Sequence, residues 1–474
     1  MILNHRTTQG PHLKLLRALV LLPLLAGARA GAQLPSVTAA QHPEPQTPTA
    51  APTTMFPHFG QGPIWLSGQM NFILQANPPF PAQYSGPNSF RPGYNKALGR
   101  VITLFSGFQL SHSTEVLVDG EEAEGLGISS ALGLGGFTNL DAVKDPSLPG
   151  TPYLARVMVD QVIALSHNRS ESARGPLSMF GELPNRRLEI RAGKFAITDF
   201  FDTNAVGSDT HLQFMNWAID QNGAYDFTAD PRGYTWGVLT EYQSPAWGAR
   251  FAEALMPGPQ LGGPLVWNLH QANTSNGEFE IHRGPVLKSG IIRLLAWVNH
   301  GNMGVYQTAI DQYLAGKRAK PDLSAHPLQV TAKYGFGVNF EQGLTPNITA
   351  YGRFGWNNGE TETWSFAEID QTISGGVGFL GALWKRSNDR CGIAFASNGI
   401  SNVHAKYLAL GGLGSELGDG GLSYSRENLM ESYYTLHLWR GLYVGPGVQY
   451  FVNPGYNQAR GPVFVGSFRL HVEL

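Results

Sequence analysis

The 474-residue chain has a single cysteine, Cys391. One thiol cannot close an internal disulfide, so the fold is not covalently stapled, and a packed strand residue is the expectation for it rather than a nucleophile. Charge is scarce, at 14% of residues, and Lys+Arg (33) do not exceed Asp+Glu (35). Without a basic excess there is nothing to neutralise phosphates, which excludes nucleic acid as a partner. No stretch of about 18 consecutive apolar residues occurs, which excludes a spanning helix. No period of 20–50 residues repeats, against a propeller or solenoid. The chain lacks a phosphate loop, a Gly-x-Ser-x-Gly elbow and a His-Glu-x-x-His motif, and Gly411-Gly412-Leu413-Gly414 sits in a Gly-rich loop instead of a strand-to-helix turn. The 14 histidines are scattered without ligand spacing. No cofactor, metal or enzyme activity is expected.

What is abundant is glycine (58 residues) and aromatics (11%). Residues 1–32 read as an export signal: Arg6, Lys14 and Arg17 precede a short apolar run, Leu15 to Leu25, followed by small residues at Ala28-Arg29-Ala30 or Ala30-Gly31-Ala32. Four basic and no acidic residues lie in it, so the remainder holds 29 Lys+Arg against 35 Asp+Glu, near −6. Residues 33–60, rich in Pro, Ala, Thr and Gln, cannot bury a core and read as a flexible leader. From Ile64 onward the texture changes to short segments of period two. Residues 61–474 are expected to form one domain.

The alternation has two unlike faces. In Gln329–Glu341, Val330, Ala332, Tyr334, Phe336, Val338 and Phe340 oppose Thr331, Lys333, Asn339 and Glu341. In the last segment, Phe464, Phe468, Leu470 and Val472 oppose Ser467, Arg469, His471 and Glu473. Leu188, Ile190 and Ala192 oppose Glu189 and Arg191. A soluble sandwich also alternates, but these strands run about ten to thirteen residues, twice the usual length, and a strand tilted across a bilayer needs about 9–11. Trp236, Trp297, Trp356, Trp384, Trp439 and Tyr443 lie near strand ends, as an interfacial girdle would. The expected fold is all-β: a transmembrane antiparallel β-barrel of about 16 strands with an inward-folded loop and short helices in long loops.

The sixteen expected strands are Ile64–Leu74, Lys96–Leu110, Glu115–Gly120, Pro152–Ala164, Arg187–Phe195, Gly233–Tyr242, Trp247–Leu255, Gly277–Arg283, Gly290–Asn299, Gln329–Glu341, Asn347–Trp356, Glu368–Leu380, Asp389–Ala396, Asn428–Trp439, Leu442–Phe451 and Gly461–Glu473. The third, eighth and thirteenth carry the weakest patterns, leaving fourteen or eighteen open. Short connections (His112-Ser113-Thr114, Ser244-Pro245-Ala246, Lys288-Ser289, Gly343 to Pro346, Arg440-Gly441) alternate with long ones (Thr198–Arg232, His300–Pro327, Ser397–Glu427), the asymmetry of outer-membrane barrels with short periplasmic turns. Sixteen strands would leave an aqueous channel.

From about Gly60 to Leu474 the chain resembles the carbohydrate-selective porins of the OprB family. The stretches that carry the likeness are GKFAITDFFD (193–202), FMNWAIDQNGAYDFTADPRGYTWG (214–237), KYGFGVNFEQGLT (333–345), GRFGWNNGETETWSFAEID (352–370) and VQYFVNPGYNQARGPVFVGSFRLHVEL (448–474). The resemblance implies a sixteen-stranded outer-membrane barrel of a Gram-negative-type bacterium, passively passing mono- or disaccharides, with outer-membrane lipids around it and the barrel assembly machinery reading its last strand. Such barrels usually end in an aromatic residue; this one ends in Leu474. Porins commonly form trimers, so a homotrimer is compatible with the likeness.

The waist of such a pore is expected in Thr198–Arg232, too long for a plain connection. It is dense in carboxylates and rings, among them Asp199, Asp202, Trp217, Asp220 and Asp226, with Arg232 at its end and a short helix expected within His211–Asp220. On the charged strand faces, Glu189, Arg191, Arg293, Lys333, Arg353 and Arg469 are expected to line the lumen. Mixed charge suits a neutral polar solute. The same residues could instead pair with one another and only stabilise the interior. The alternatives are a general diffusion porin without a sugar site, a barrel-embedded hydrolase, for which no motif speaks, and a soluble secreted β-rich binding protein, which membrane fractionation would identify.

Overall fold

The computed structural model describes residues 53–60, 62–143, 145, 147–258, 264–287, 289–325, 329–364 and 367–474. The expected signal and residues 33–52 of the leader lie outside these, as does Lys288 of one expected turn. Sixteen antiparallel strands close into a barrel. They are β1 (Ile64–Asn77), β2 (Asn95–Gln109), β3 (Thr114–Glu124), β4 (Tyr153–Ala164), β7 (Arg187–Phe195), β8 (Thr235–Gln243), β9 (Trp247–Leu255), β10 (Asn273–Ile281), β11 (Gly290–Met303), β12 (Gln329–Thr345), β13 (Ile348–Asn357), β14 (Gln371–Leu380), β15 (Arg390–Gly399), β16 (Glu427–Trp439), β17 (Leu442–Val452) and β18 (Val463–Glu473). A small hairpin, β5 (Arg169–Glu171) with β6 (Glu182–Pro184), pairs only with itself. Each barrel strand pairs with its chain neighbours in the ring, and β1 closes on β18 from Gln69↔Glu473 to Ala76↔Gly466.

All sixteen expected strands are present. The three weakest are full strands; β10 starts four residues earlier than expected because its first residues, Asn273-Thr274-Ser275-Asn276, are polar on both faces and hide the alternation. Residue parity sorts the two faces. Leu104, Phe336, Phe354, Phe395, Phe464 and Phe468 point outward and are exposed, while Asn71, Arg191, Arg293, Lys333, Arg353 and Arg469 point inward and are buried. Trp236, Trp356 and Trp439 stand on the outer face. Trp297 and Tyr443 do not belong to a girdle: Trp297 has the parity of Arg293 and Tyr443 lies opposite His471, so both are buried inside.

Both ends of the chain described, and the turns β2–β3, β8–β9, β12–β13 and β16–β17, lie at one end of the barrel. The strict alternation of short and long connections fails once there: residues 165–186, between β4 and β7, form a long connection holding the β5–β6 hairpin. Residues 53–60, expected as leader, are bonded to the same rim, with Met55 N donating to Glu473 O at 2.8 Å and His58 Nε2 at 2.7 Å from Leu474 O. At the opposite end, helices Tyr306–Leu314 and Asn402–Ala409 pack together in two long loops.

The parity assignment is testable. Phe468→Arg, at the middle of the lipid face of β18, should cost about 2–4 kcal/mol of folding free energy in vesicles, whereas Ser467→Arg on the inner face should cost far less; urea-dependent refolding into liposomes reads the difference.

Candidate pore constriction

Residues 196–234, between β7 and β8, fold into the barrel. The loop is held locally by its Asn and Asp side chains, which mimic backbone turns. Asn204 Oδ1 accepts from the amides of Val206 (2.9 Å) and Gly207 (2.7 Å), Asp209 Oδ1 from His211 and Leu212 (both 3.1 Å), and Asp230 Oδ1 from Arg232 (2.9 Å). Asn216 caps a single helical turn, Trp217–Asp220, through the amide of Ala218. The helix expected within His211–Asp220 is thus confined to its last four residues, because Asp209 and Asn216 each turn the chain first.

The loop leaves β7 and is bonded to the wall almost all the way round to β18. Glu278 of β10 accepts from the amide of Asp202 (2.8 Å), and Tyr225 donates to Asn276 of β10 (2.7 Å). On β12, Glu341 accepts from the amide of Ala205 at 2.6 Å, and Asn339 donates to Asp202 O at 2.7 Å. Arg353 of β13 pairs with Asp202 (2.8 Å) and donates to the carbonyls of Ile219 and Gly207 (2.8 Å each). Glu431 of β16 accepts from the amides of Met215 (2.9 Å) and Asn216 (3.0 Å), and Arg469 of β18 donates to Gln213 O at 2.8 Å. The loop therefore crosses the lumen and is zipped to its far side.

Seven of the residues expected at the pore meet at this seam. Asp202 and Arg353 form a buried pair. Asp226 accepts from the amide of Trp364 (2.9 Å) and pairs with Lys333 (3.2 Å). Arg469 holds Gln213. Trp217 is buried, stacked on Phe227 at 5.5 Å and 5° and edge-on to Phe137, so its ring packs the loop onto residues 125–152. Asp220 closes the helical turn. Burial pushes the Asp220 carboxyl up to about 7, and burial also raises Asp202 in spite of Arg353.

Three others lie in an ion belt on the wall. Arg191 joins Glu189, Asp160 (3.1 Å) and Glu241 (2.6 Å); Arg250, which the sequence reading did not single out, joins Glu241 (2.9 Å), Glu278 (2.8 Å) and Glu280 (2.8 Å); Arg293 stands 3.4 Å from Glu280 and 3.9 Å from Glu341. Asp199 and Arg232 sit apart. Asp199 pairs with Arg156 of β4 (2.6 Å) and keeps 23% of its side chain exposed, and Arg232 donates to Pro149 O (2.6 Å) over the ring of Tyr153.

The inward-facing side chains that stay partly accessible include positions the sequence reading passed over: Gln69 on β1, Phe105 on β2, Glu121 on β3, and Asp209 and His211 on the loop. Glu121 accepts from Thr103 (3.0 Å) and Tyr234 (3.1 Å). Their parity in β1–β3 was the available signal. Within the loop, Thr198, Phe201, Asp202, Ser208, Asp220, Gln221 and Tyr225 line a small cavity of about 40 Å³. Ser208 is exposed at its edge. Asp220 Oδ1 and Gln221 Oε1 are buried there without a hydrogen-bond partner among the described residues.

A closed sixteen-stranded ring, apolar outside and polar inside, with a loop folded across its lumen, defines a porin of the outer-membrane type. The chain belongs to the carbohydrate-selective porin OprB family, whose model matches residues 89–474. Among solved structures, Pseudomonas putida OprB at high pH superposes with a TM-score of 0.64 at 15% identity, covering 87% of this chain and 94% of that one. The outer-membrane channel DcaP of Acinetobacter baumannii (7% identity, 87% and 97% covered, TM-score 0.46) and an anion-selective porin from Comamonas acidovorans (10%, 87% and 99%, 0.44) match more loosely. No curated protein matches the chain. The chain is an outer-membrane carbohydrate porin, a channel rather than an enzyme.

Two outcomes follow from the seam. Arg353→Met leaves Asp202 buried without its cation, a defect of about 3–5 kcal/mol; the loop should loosen while the barrel stays closed, seen as noisier open-channel current with unchanged heat-modifiable migration. His211 lies 3.4 Å from Asp141 in the loop 125–152, and that carboxylate raises the imidazole from 6.5 to about 9 although burial opposes it. A raised folded-state pKa contributes stability in full below the unfolded value and loses it as pH rises through the folded one. The tie between the loops should therefore weaken from about pH 6.5 to 9, so current noise should grow over that window, and His211→Gln should abolish the dependence.

Proposed function

We propose that the protein passes neutral mono- and disaccharides by passive diffusion, and that residues 198–232 form its waist. The observation that carries the reading is the loop itself, bonded across the lumen from β10 to β18 through Asp202, Ala205, Met215, Asn216 and Gln213. The small cavity on it, about 40 Å³, has room for a few waters or one inserted hydroxyl, so a sugar ring would lie on the lumen face of the loop. Asp220 Oδ1 and Gln221 Oε1 are acceptors in want of donors, which sugar hydroxyls supply. Of the other residues, Asp202, Asp226, Lys333, Arg353, Arg469 and Trp217 hold the loop across the lumen and fix the aperture. Glu189, Arg191 and Arg293 stiffen the wall behind it, and Asp199 and Arg232 border the solute path with Gln69 and Glu121.

The short-turn end would face the periplasm of a Gram-negative-type bacterium, after export by the residue 1–32 signal. Outer-membrane lipids would contact the Phe-rich outer face, and the assembly machinery would engage β18. Three copies would associate as a homotrimer.

Planar-bilayer current measured with added glucose, maltose and arabinose tests the reading. Sugar should reduce ion current in the wild type. Asp220→Leu, which removes an acceptor worth about 1.5–3 kcal/mol when charged, should raise the half-blocking concentration about tenfold or more with assembly intact. Current indifferent to every sugar at tens of millimolar would favour a general diffusion pore, with no sugar site.

A further inference from the structure

The barrel is entered from its other mouth as well. In the connection between β4 and β7, beyond the β5–β6 hairpin, Ser172 N donates to Gly181 O at 2.9 Å and Gly175 and Ser178 exchange backbone bonds of 2.7 and 3.2 Å, so residues 172–181 form a tight finger. Its base is clipped to the segment before β1, where Arg174 donates to the carbonyls of Phe59 and Gly62 at 3.0 Å each.

The finger does not hang below the rim. Met179 is buried in one apolar cluster with Trp65, Leu117 and Met158, all inward-facing wall residues. Its amide donates to the inward Glu115 carboxylate at 3.0 Å. A side chain at Gly107 of β2 would come within 2.5 Å of Met179 Sδ, so the wall is hollowed to admit it. Pro176, at the tip, accepts from Arg156 Nη1 at 3.4 Å. Arg156 also pairs with Asp119, four residues up β3 from Glu115, so the tip meets a group held on the wall above the rim. The same guanidinium holds Asp199 at the start of the waist loop at 2.6 Å. One arginine thus touches the wall, the loop entering from one mouth and the finger entering from the other.

We infer that residues 172–181 are a second constriction, at the short-turn mouth, joined to the waist loop through Arg156. Solute is then sieved twice, and the half-buried Pro176 and Leu177 border the inner passage. The size discrimination assigned to this finger rests on the carbohydrate-porin reading above; its effect on ion flow does not.

Replacing residues 173–180 by two glycines should raise single-channel conductance about twofold or more, since pore radius governs flow. In liposome swelling the same variant should narrow the gap between monosaccharide and disaccharide rates. Unchanged conductance in a correctly migrating, heat-modifiable barrel would overturn the inference. Leu177→Cys provides an arm that keeps the finger intact. A charged methanethiosulfonate reagent should modify it and lower the current, while the wild type, whose Cys391 is on the outer face of β15, should not respond. Failure to be modified, or modification without a change in current, would equally sink the proposal. If the deletion raises ion conductance while neither form passes sugars, the inner constriction stands and the carbohydrate reading falls.

Discussion

Hydrocarbon offers backbone N–H and C=O groups no partner, and the rest of this structure follows from that. Every strand must be bonded on both edges, so the sheet must close, and it does so where β1 meets β18 over Gln69–Ala76. Closure with sixteen strands fixes a lumen too wide for side chains alone to fill. The lipid outside then decides parity: the face carrying Phe464, Phe468 and Leu470 goes out, and everything charged on the same strand goes in. The inside of this protein is polar because its outside cannot be.

A polar lumen in water needs no special pairing, but this one is partly filled with protein. Where the 196–234 loop and the 172–181 finger lie against the wall, inward charges lose their water, and a buried charge is tolerable only when paired and hydrogen-bonded. The belt Asp160–Arg191–Glu241–Arg250–Glu278/Glu280 answers that need along the wall, and Arg353–Asp202 and Lys333–Asp226 answer it at the loop. These pairs do more for geometry than for net stability, since well-packed apolar residues could often replace them at no cost. What apolar packing would not provide is one fixed register of loop against wall, and a fixed register is what an aperture of constant size requires.

Parity and length were readable from the sequence wherever one face was apolar. Val330–Phe340 and Phe464–Val472 sorted themselves, and the family stretches fixed the strand count. Parity was harder to read where both faces were polar, as in Asn273–Asn276, or where an aromatic faced inward, as Trp297 and Tyr443 do. Local spacing could nominate Asp202 and Arg353 but not join them, since 151 residues separate them and only closure brings β13 beneath the loop. Nor could spacing distinguish a side chain facing water from one facing the loop. For that reason Glu189, Arg191 and Arg293, chosen as lining, lie in a buried belt, while Gln69 and Glu121, with the same alternation, stay accessible.

The composition did hold a signal for where the lumen is occupied. Gly337 and Gly355 stand inward on β12 and β13, and a Cβ at Gly355 would overlap Asn222 Oδ1 of the loop. Gly392 makes the same room for Phe214, and Gly107 for Met179. Glycine inside a strand weakens it and is retained where another backbone or side chain comes close. Inward glycines therefore mark the imprint of the intruding segments on the wall, and the imprint has two parts. One lies on β12, β13 and β15 beneath the 196–234 loop; the other, at Gly107, lies across the barrel under the finger. An outer loop alone accounts for the first and leaves the second unexplained, so the wall itself is cut for two intrusions, one from each mouth.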